Sequence, residues 1–255
     1  MIEQDRQTAQ NDSEQLGLEN EFGESVNLVK TGLRELNREG AEYDYFHLPI
    51  LLMSTGVERF LKAFIRLHVK KVSGAFPDEN ALRSKAGRTT ANDVRWFVSQ
   101  LTQRYFSADY LRQYPAVDAE LRTLRNDERI SRLIDTFADF SMGTRYYNMN
   151  IVSGIEPPGA CQMDELEKLR EDILEDDALV LNGAPNLNET TTVDKEIVLR
   201  LTKSCELLMR AVSRLIELEA PAQSALNIAE HTGHFLHLTD DQLGQTDYSL
   251  LLIPD

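Results

Sequence analysis

The sequence predicts an all-α protein, a bundle of five to six helices around one long, buried, central member. Three observations carry this. Apolar residues recur at steps of three and four along most of the chain, the period of a helix with one buried face. Strict apolar–polar alternation, which a half-buried strand needs, is scarce. Turn-forming clusters separate the periodic stretches, at Val72 to Arg88, at Ser153 to Gly159 with Pro157-Pro158-Gly159, and at Asn182 to Thr190.

Taken in order, residues 1–20 are polar and acidic with few apolar anchors, so they read as a disordered N-terminus. The bundle spans residues 21–220. Its first helix carries Phe22, Val26, Val29, Leu33 and Leu36 on one face. The second carries Ile50, Met53, Val57, Phe60, Phe64 and Leu67, widened by Leu48, Leu51, Leu52, Leu61 and Ile65, and is the expected centre of the bundle. Pro49 fits only within a first turn, which puts the start of that helix between Tyr45 and Leu48. Thr90 is placed to cap a helix with Val94, Phe97, Val98, Leu101 and Tyr105. One continuous helix is expected from about Val117 to Ser141, with Ile130, Ile134 and Phe137 on one side. Leu166, Leu169 and Ile173 mark a shorter one. Ile197, Leu201, Cys205, Leu208, Val212 and Leu215 mark a strong one, stopped by Pro221. Residues 221–255 read as a C-terminal tail, a short hairpin or a cover for the bundle.

The charge is unevenly distributed. Residues 1–58 hold 4 Lys/Arg against 12 Asp/Glu, residues 59–132 hold 15 against 8, and residues 133–255 hold 8 against 22. A basic block inside an acidic chain points to a polyanion, an acidic protein surface, or the chain's own acidic segments as its partner. Two widely spaced cysteines, Cys161 and Cys205, suit a reducing compartment and hence the cytoplasm. The N-terminus lacks the basic and apolar regions of a signal peptide, and no apolar run approaches a membrane span.

Arg122, Arg125, Arg129 and Arg132 stand three, four and three residues apart. On one helix they fall within about 80° of each other, a ridge of planar donor forks suited to phosphate or carboxylate. The plainer reading pairs them with Asp118, Asp127 and Glu128. Arg145, Tyr146, Tyr147 and Asn148 could stack on a base and bond its edge, or pack as core and turn residues. His231, His234, His237 and Asp240 are metal-ligand types, though in no recognised ligand spacing, and Gly233 would interrupt a helix joining the first two. The carboxylate run Glu171 to Asp177 reads as a solvated face. Trp96 reads as a core or interface anchor, and His68 as a satisfied core residue. No Gly-x-Ser-x-Gly, Gly-x-x-x-x-Gly-Lys or Gly-x-Gly-x-x-Gly occurs, so no nucleotide or dinucleotide cofactor is implied.

Ser54-Thr55-Gly56-Val57-Glu58-Arg59-Phe60-Leu61-Lys62-Ala63-Phe64-Ile65 resembles a helix of HEPN domains, where a small residue precedes an apolar helix bearing Glu and Lys. The resemblance implies a helical bundle, commonly dimeric. Many members are RNases that use an arginine with a histidine after four to six intervening residues. None of the five histidines here has an arginine at that spacing, and Arg125-Asn126 is followed by Ile130, Ser131 and Arg132 where the histidine would stand. The resemblance therefore implies a non-catalytic member. The expectation is a HEPN-like binding protein that engages RNA or an acidic protein through the arginine ridge, forms a homo-oligomer and does not enter a membrane. The alternatives are a metal-dependent hydrolase or nuclease built on the C-terminal His/Asp cluster, and a structural homo-oligomer.

Overall fold

The computed structural model describes residues 2–39, 47–77, 94–103, 106, 108–142, 152–154, 189–219 and 222–250. These form α1 (Ile2–Glu39), α2 (His47–Ser73), α3 (Val94–Gln103), α4 (Ala108–Gln113), α5 (Pro115–Asn126), α6 (Glu128–Met142), α7 (Glu189–Glu219), α8 (Ala222–Leu236) and a short 3-10 turn (Tyr248–Leu250). No strand occurs among the described residues. None of their helices is long and apolar enough to cross a membrane.

The helical stripes read from the sequence form one core. Phe22, Val26, Val29, Leu33 and Leu36 of α1 meet Ile50, Met53, Val57, Phe60, Phe64 and Leu67 of α2, all at most 2% exposed. Pro49 lies in the first turn of α2, where its missing N–H has no partner to lose. Helix α2 is central, packing on α1, α3, α6 and α7. Its contact with α1 is the most extensive in the bundle, and two glycines explain why. A Cβ on Gly56 would sit 2.8 Å from Ser25 O and 2.9 Å from Val29 N, and one on Gly32 would sit 2.9 Å from both Met53 N and Pro49 O. Each glycine faces the backbone of the other helix, so the two axes approach more closely than any side chain would allow. Arg59 of α2 locks the same seam, with Nε and Nη2 each 2.7 Å from the Glu21 carboxylate and Nη2 2.5 Å from Glu24. The Arg59 guanidinium is the main reason the Glu21 carboxyl is held below its usual range.

Three expectations are corrected. Residues 2–20 are the first half of α1 rather than a disordered segment, and Leu18 is in the core. The helix expected over Val117 to Ser141 is two, because Asp127 has extended backbone (ψ 116°) between α5 and α6. Its carboxylate accepts the Arg129 N–H at 3.0 Å and the Ile130 N–H at 3.4 Å, so it caps the start of α6. Of the two readings of the tail, the hairpin is corrected and the cover is what residues 222–250 form: α8 packs on α1 and α7, and Ile228, Phe235, Leu238, Leu243 and Tyr248 join the core. The Thr90 cap, Tyr105, the helix over Leu166 to Ile173, the run Glu171 to Asp177 and Cys161 lie outside the described residues.

Trp96 is half-buried against the core with its ring edge-on to Phe97, and His68 is buried with its ring against Phe106.

Candidate functional site

Two polar regions stand out: the elbow between α5 and α6, and a clasp that the C-terminal segment makes on α7.

The elbow holds the four arginines. The break at Asp127 puts Arg122 and Arg125 on α5 and Arg129 and Arg132 on α6, so they do not form one helical ridge. Each meets an oxygen nearby. Arg122 Nη2 lies 2.6 Å from Asp118, Arg129 Nη2 2.5 Å from Asp127, and Arg132 Nη2 3.0 Å from Glu128. Arg125 donates to the Thr102 carbonyl in the last turn of α3, where a cation suits the negative end of the helix dipole. The Arg129 guanidinium holds the Asp127 carboxyl below its usual range. The side chains of Arg122, Arg129 and Arg132 remain 69%, 52% and 55% exposed, so these pairs are surface pairs worth about 1 kcal/mol or less. Six carboxylates and four arginines lie between Asp118 and Asp139, so the elbow is of mixed charge rather than a basic stripe. Arg145, Tyr146, Tyr147 and Asn148 lie outside the described residues.

The clasp is built around Glu206, which is fully buried in α7. Its Oε2 accepts the Gly244 N–H at 2.5 Å, its Oε1 accepts the Tyr248 hydroxyl at 2.8 Å, and the Thr246 side chain bonds it as well. Burial pushes the Glu206 carboxyl up, against the pull of these donors. The Tyr248 oxygen lies 3.0 Å from His234 Nε2. Since the Tyr248 proton is directed at Glu206, Nε2 donates to the tyrosine oxygen, and the neutral ring keeps Nδ1 as an acceptor. Burial, with Lys30 of α1 adding repulsion, lowers His234 to about 4. Below this chain of groups, Arg210 donates to Leu238 O at 3.3 Å and lies 2.7 Å from Asp240. Arg214 donates to Leu236 O at 3.5 Å and Leu238 O at 3.3 Å, and lies 2.5 Å from Glu120 of α5. The two arginines thus satisfy carbonyls at the end of α8 that the helix itself leaves open.

A cleft of about 460 Å³ opens beside the clasp, lined by Gly233, His234, His237, Leu238, Gln242, Gln245 and Thr246.

The metal reading does not fit this arrangement. Helix α8 continues through Gly233 to Leu236, so His231 and His234 do share a helix, but they face different neighbours. The His231 ring packs over Gly23 of α1, with Nδ1 2.9 Å from where a Cβ would stand. His234 is held by Tyr248, Asp240 by Arg210, and His237 is exposed. Among the described residues no three His, Cys, Asp or Glu are grouped to hold a metal ion. Sequence reasoning missed Glu206, Tyr248 and the two glutamines. The available signal was Glu206 itself, an acid standing between Cys205 and the apolar triplet Leu207-Leu208-Met209. Cys205 beside it is a buried free thiol, pushed up by burial.

No family model, curated protein or solved structure matches the chain.

Proposed function

We propose that this chain is a non-catalytic binding bundle of HEPN-like type that works in the cytoplasm and docks an acidic protein surface through the α5–α6 elbow. The observation that carries the reading is the exposure of Arg122, Arg129 and Arg132, each more than half exposed and paired with a carboxylate of its own elbow. Such pairs exchange at small cost, so a partner carboxylate can take the place of Asp118, Asp127 or Glu128. The interleaved carboxylates favour a protein over RNA, because a continuous phosphate backbone would be brought against them as well. A second copy is the first partner to consider, since residues 133–255 carry 22 acidic groups against 8 basic ones. The resemblance at Ser54 to Ile65 supports the bundle type, and the missing arginine–histidine spacing supports a member without nuclease chemistry.

The test compares the parent with Arg129→Glu/Arg132→Glu, using fluorescence anisotropy with a polyglutamate peptide and with a single-stranded RNA oligomer. Sedimentation velocity at low and high salt covers self-association. We expect polyglutamate binding that weakens with salt, is lost in the variant, and exceeds RNA binding, while the melting temperature changes little. Equal or tighter RNA binding would replace the protein partner with RNA. Unchanged binding with a large fall in melting temperature would make the arginines structural and end the reading.

A further inference from the structure

We propose that the cleft beside the C-terminal clasp is a binding site for a small uncharged molecule bearing a carboxamide. Two features argue that it receives a ligand. The first is Gly233, which lies inside α8 and lines the cleft. Glycine in a helix is about 1 kcal/mol worse than alanine, and usually something forces it. Here no crowding does: a Cβ on Gly233, like one on Gly17 of α1, would meet no atom within 4 Å, and of these two glycines it is Gly233 that lines the cleft. The side chain is missing where the cleft has room, and its absence enlarges that room.

The second feature is the preorganisation of the polar groups. The His234 ring is fixed by the Tyr248 hydroxyl, which is itself fixed by buried Glu206. That leaves Nδ1 as an acceptor on a ring that cannot turn without breaking the chain of bonds. Gln242 is oriented too, because its Oε1 accepts the Thr239 N–H at 3.0 Å, and its Nε2 donates to no described residue. The cleft is thus lined by the fixed His234 ring, the oriented Gln242 amide, the Gln245 amide, Thr246, His237 and the apolar Leu238. A carboxamide is complementary to this set. Its N–H can donate to His234 Nδ1 while its carbonyl accepts from Gln242 Nε2.

Charge selects against ions of either sign. Among the described residues no Lys, Arg, Asp or Glu lines the cleft, and its titratable lining groups are the imidazoles of His234 and His237. Lys30 adds positive potential at His234, while Asp240, Asp241 and Asp247 are exposed acids on the segment that carries the glutamines. The volume of about 460 Å³ falls in the range of small-molecule sites.

The experiment uses the full chain, with benzamide and its isosteric anion benzoate as probes, followed by saturation-transfer NMR and titration. Benzamide should bind and benzoate should bind at least about tenfold more weakly, because a carboxylate has no N–H to donate to His234 Nδ1. Gly233→Leu should fill the cleft, keep or raise the melting temperature, and weaken benzamide about tenfold or more. Gln242→Ala, at an exposed position, should weaken it by a similar factor. Absence of benzamide binding to the parent chain, equal affinity for benzoate, or binding unaffected by both variants would overturn the proposal.

Discussion

The α1–α2 seam makes a prediction whose sign depends on geometry alone. Replacing Gly56 by alanine places a methyl 2.7 Å from Val29 Cγ2, 2.8 Å from Ser25 O and 2.9 Å from Val29 N. Ordinary contacts of carbon begin near 3.5 Å, so roughly 0.7 Å must be found, and two of the three neighbours are backbone atoms that cannot rotate away. The helices must separate along a seam packed with Phe22, Val26, Phe60 and Val57. Overpacking of this kind costs about 1–3 kcal/mol, and the backbone contacts put Gly56→Ala at the upper end. Alanine's better helix propensity offsets about 1 kcal/mol, leaving a net loss of about 2 kcal/mol. Gly32→Ala meets backbone in the same way and should behave alike. Gly17, in the same α1, has nothing within 4 Å of its missing Cβ, so Gly17→Ala should gain about 0.5–1 kcal/mol. Urea unfolding of the three variants reads the contrast directly. A Gly56→Ala protein as stable as the parent, or one that moves in the same direction as Gly17→Ala, would refute the close approach of the two helices.

Other outcomes follow from the same structure. Phe60 is fully buried with its ring edge-on to Phe22 at 5.5 Å, so Phe60→Ala should lose about 3–5 kcal/mol in a denaturation midpoint. Glu21→Gln breaks the two-pronged contact with half-buried Arg59 and should lose about 1 kcal/mol at low salt, less at high salt. His234 contributes acid-labile stability. Its folded value, about 4, lies below its ordinary 6.5, so the contribution is complete above pH 6.5 and is lost as pH falls toward 4. The ring is partly exposed, so screening reduces the full linkage to about 1–2 kcal/mol. Glu206 runs the other way, because its raised value makes it most favourable below 4.5 and less so as pH rises. Comparing unfolding of the parent and His234→Gln between pH 7 and pH 4.5 isolates the histidine; parallel curves would show that it does not titrate in the fold.

Much of the bundle was legible because the signals were local. The α2 stripe from Ile50 to Leu67 and the Pro49 start are set within one helix, and both are found in the structure. The α5–α6 break had a local signal as well. Apolar steps of three and four run to Leu124, and the next step, to Ile130, is six, with Asn126-Asp127-Glu128 in the gap. An aspartate there is a natural N-cap, and the continuous helix hid it. The helical N-terminus was illegible for a different reason. Leu18 is buried and Glu19 accepts the Asn227 amide at 2.8 Å, so part of the cover over this half of α1 comes from α8, some 200 residues away in sequence. No window along the chain contains both. The clasp was hidden in the same way: Glu206 and Tyr248 are 42 residues apart, so no local window pairs the acid with its donor.

The two polar regions differ in what their charges do. A carboxyl as buried as Glu206 is a weak source of stability, since a well-packed apolar residue could fill its place without desolvation. What it specifies is register. Its donors come from the backbone at Gly244 and from the side chains of Thr246 and Tyr248, so one placement of the C-terminal segment on α7 satisfies all three. That placement carries Gln242 and Gln245 to the mouth of the cleft that His234 lines. The elbow arginines are the opposite case, exposed and held by pairs that water and salt already loosen. Salt therefore separates the two. Added electrolyte screens the elbow's attraction over a distance of about 10 Å or less, while hydrogen bonds to an uncharged molecule in the cleft have no net charge to screen. An elbow interaction that persists at high salt would have to rest on buried contacts, and the three exposed arginines provide none.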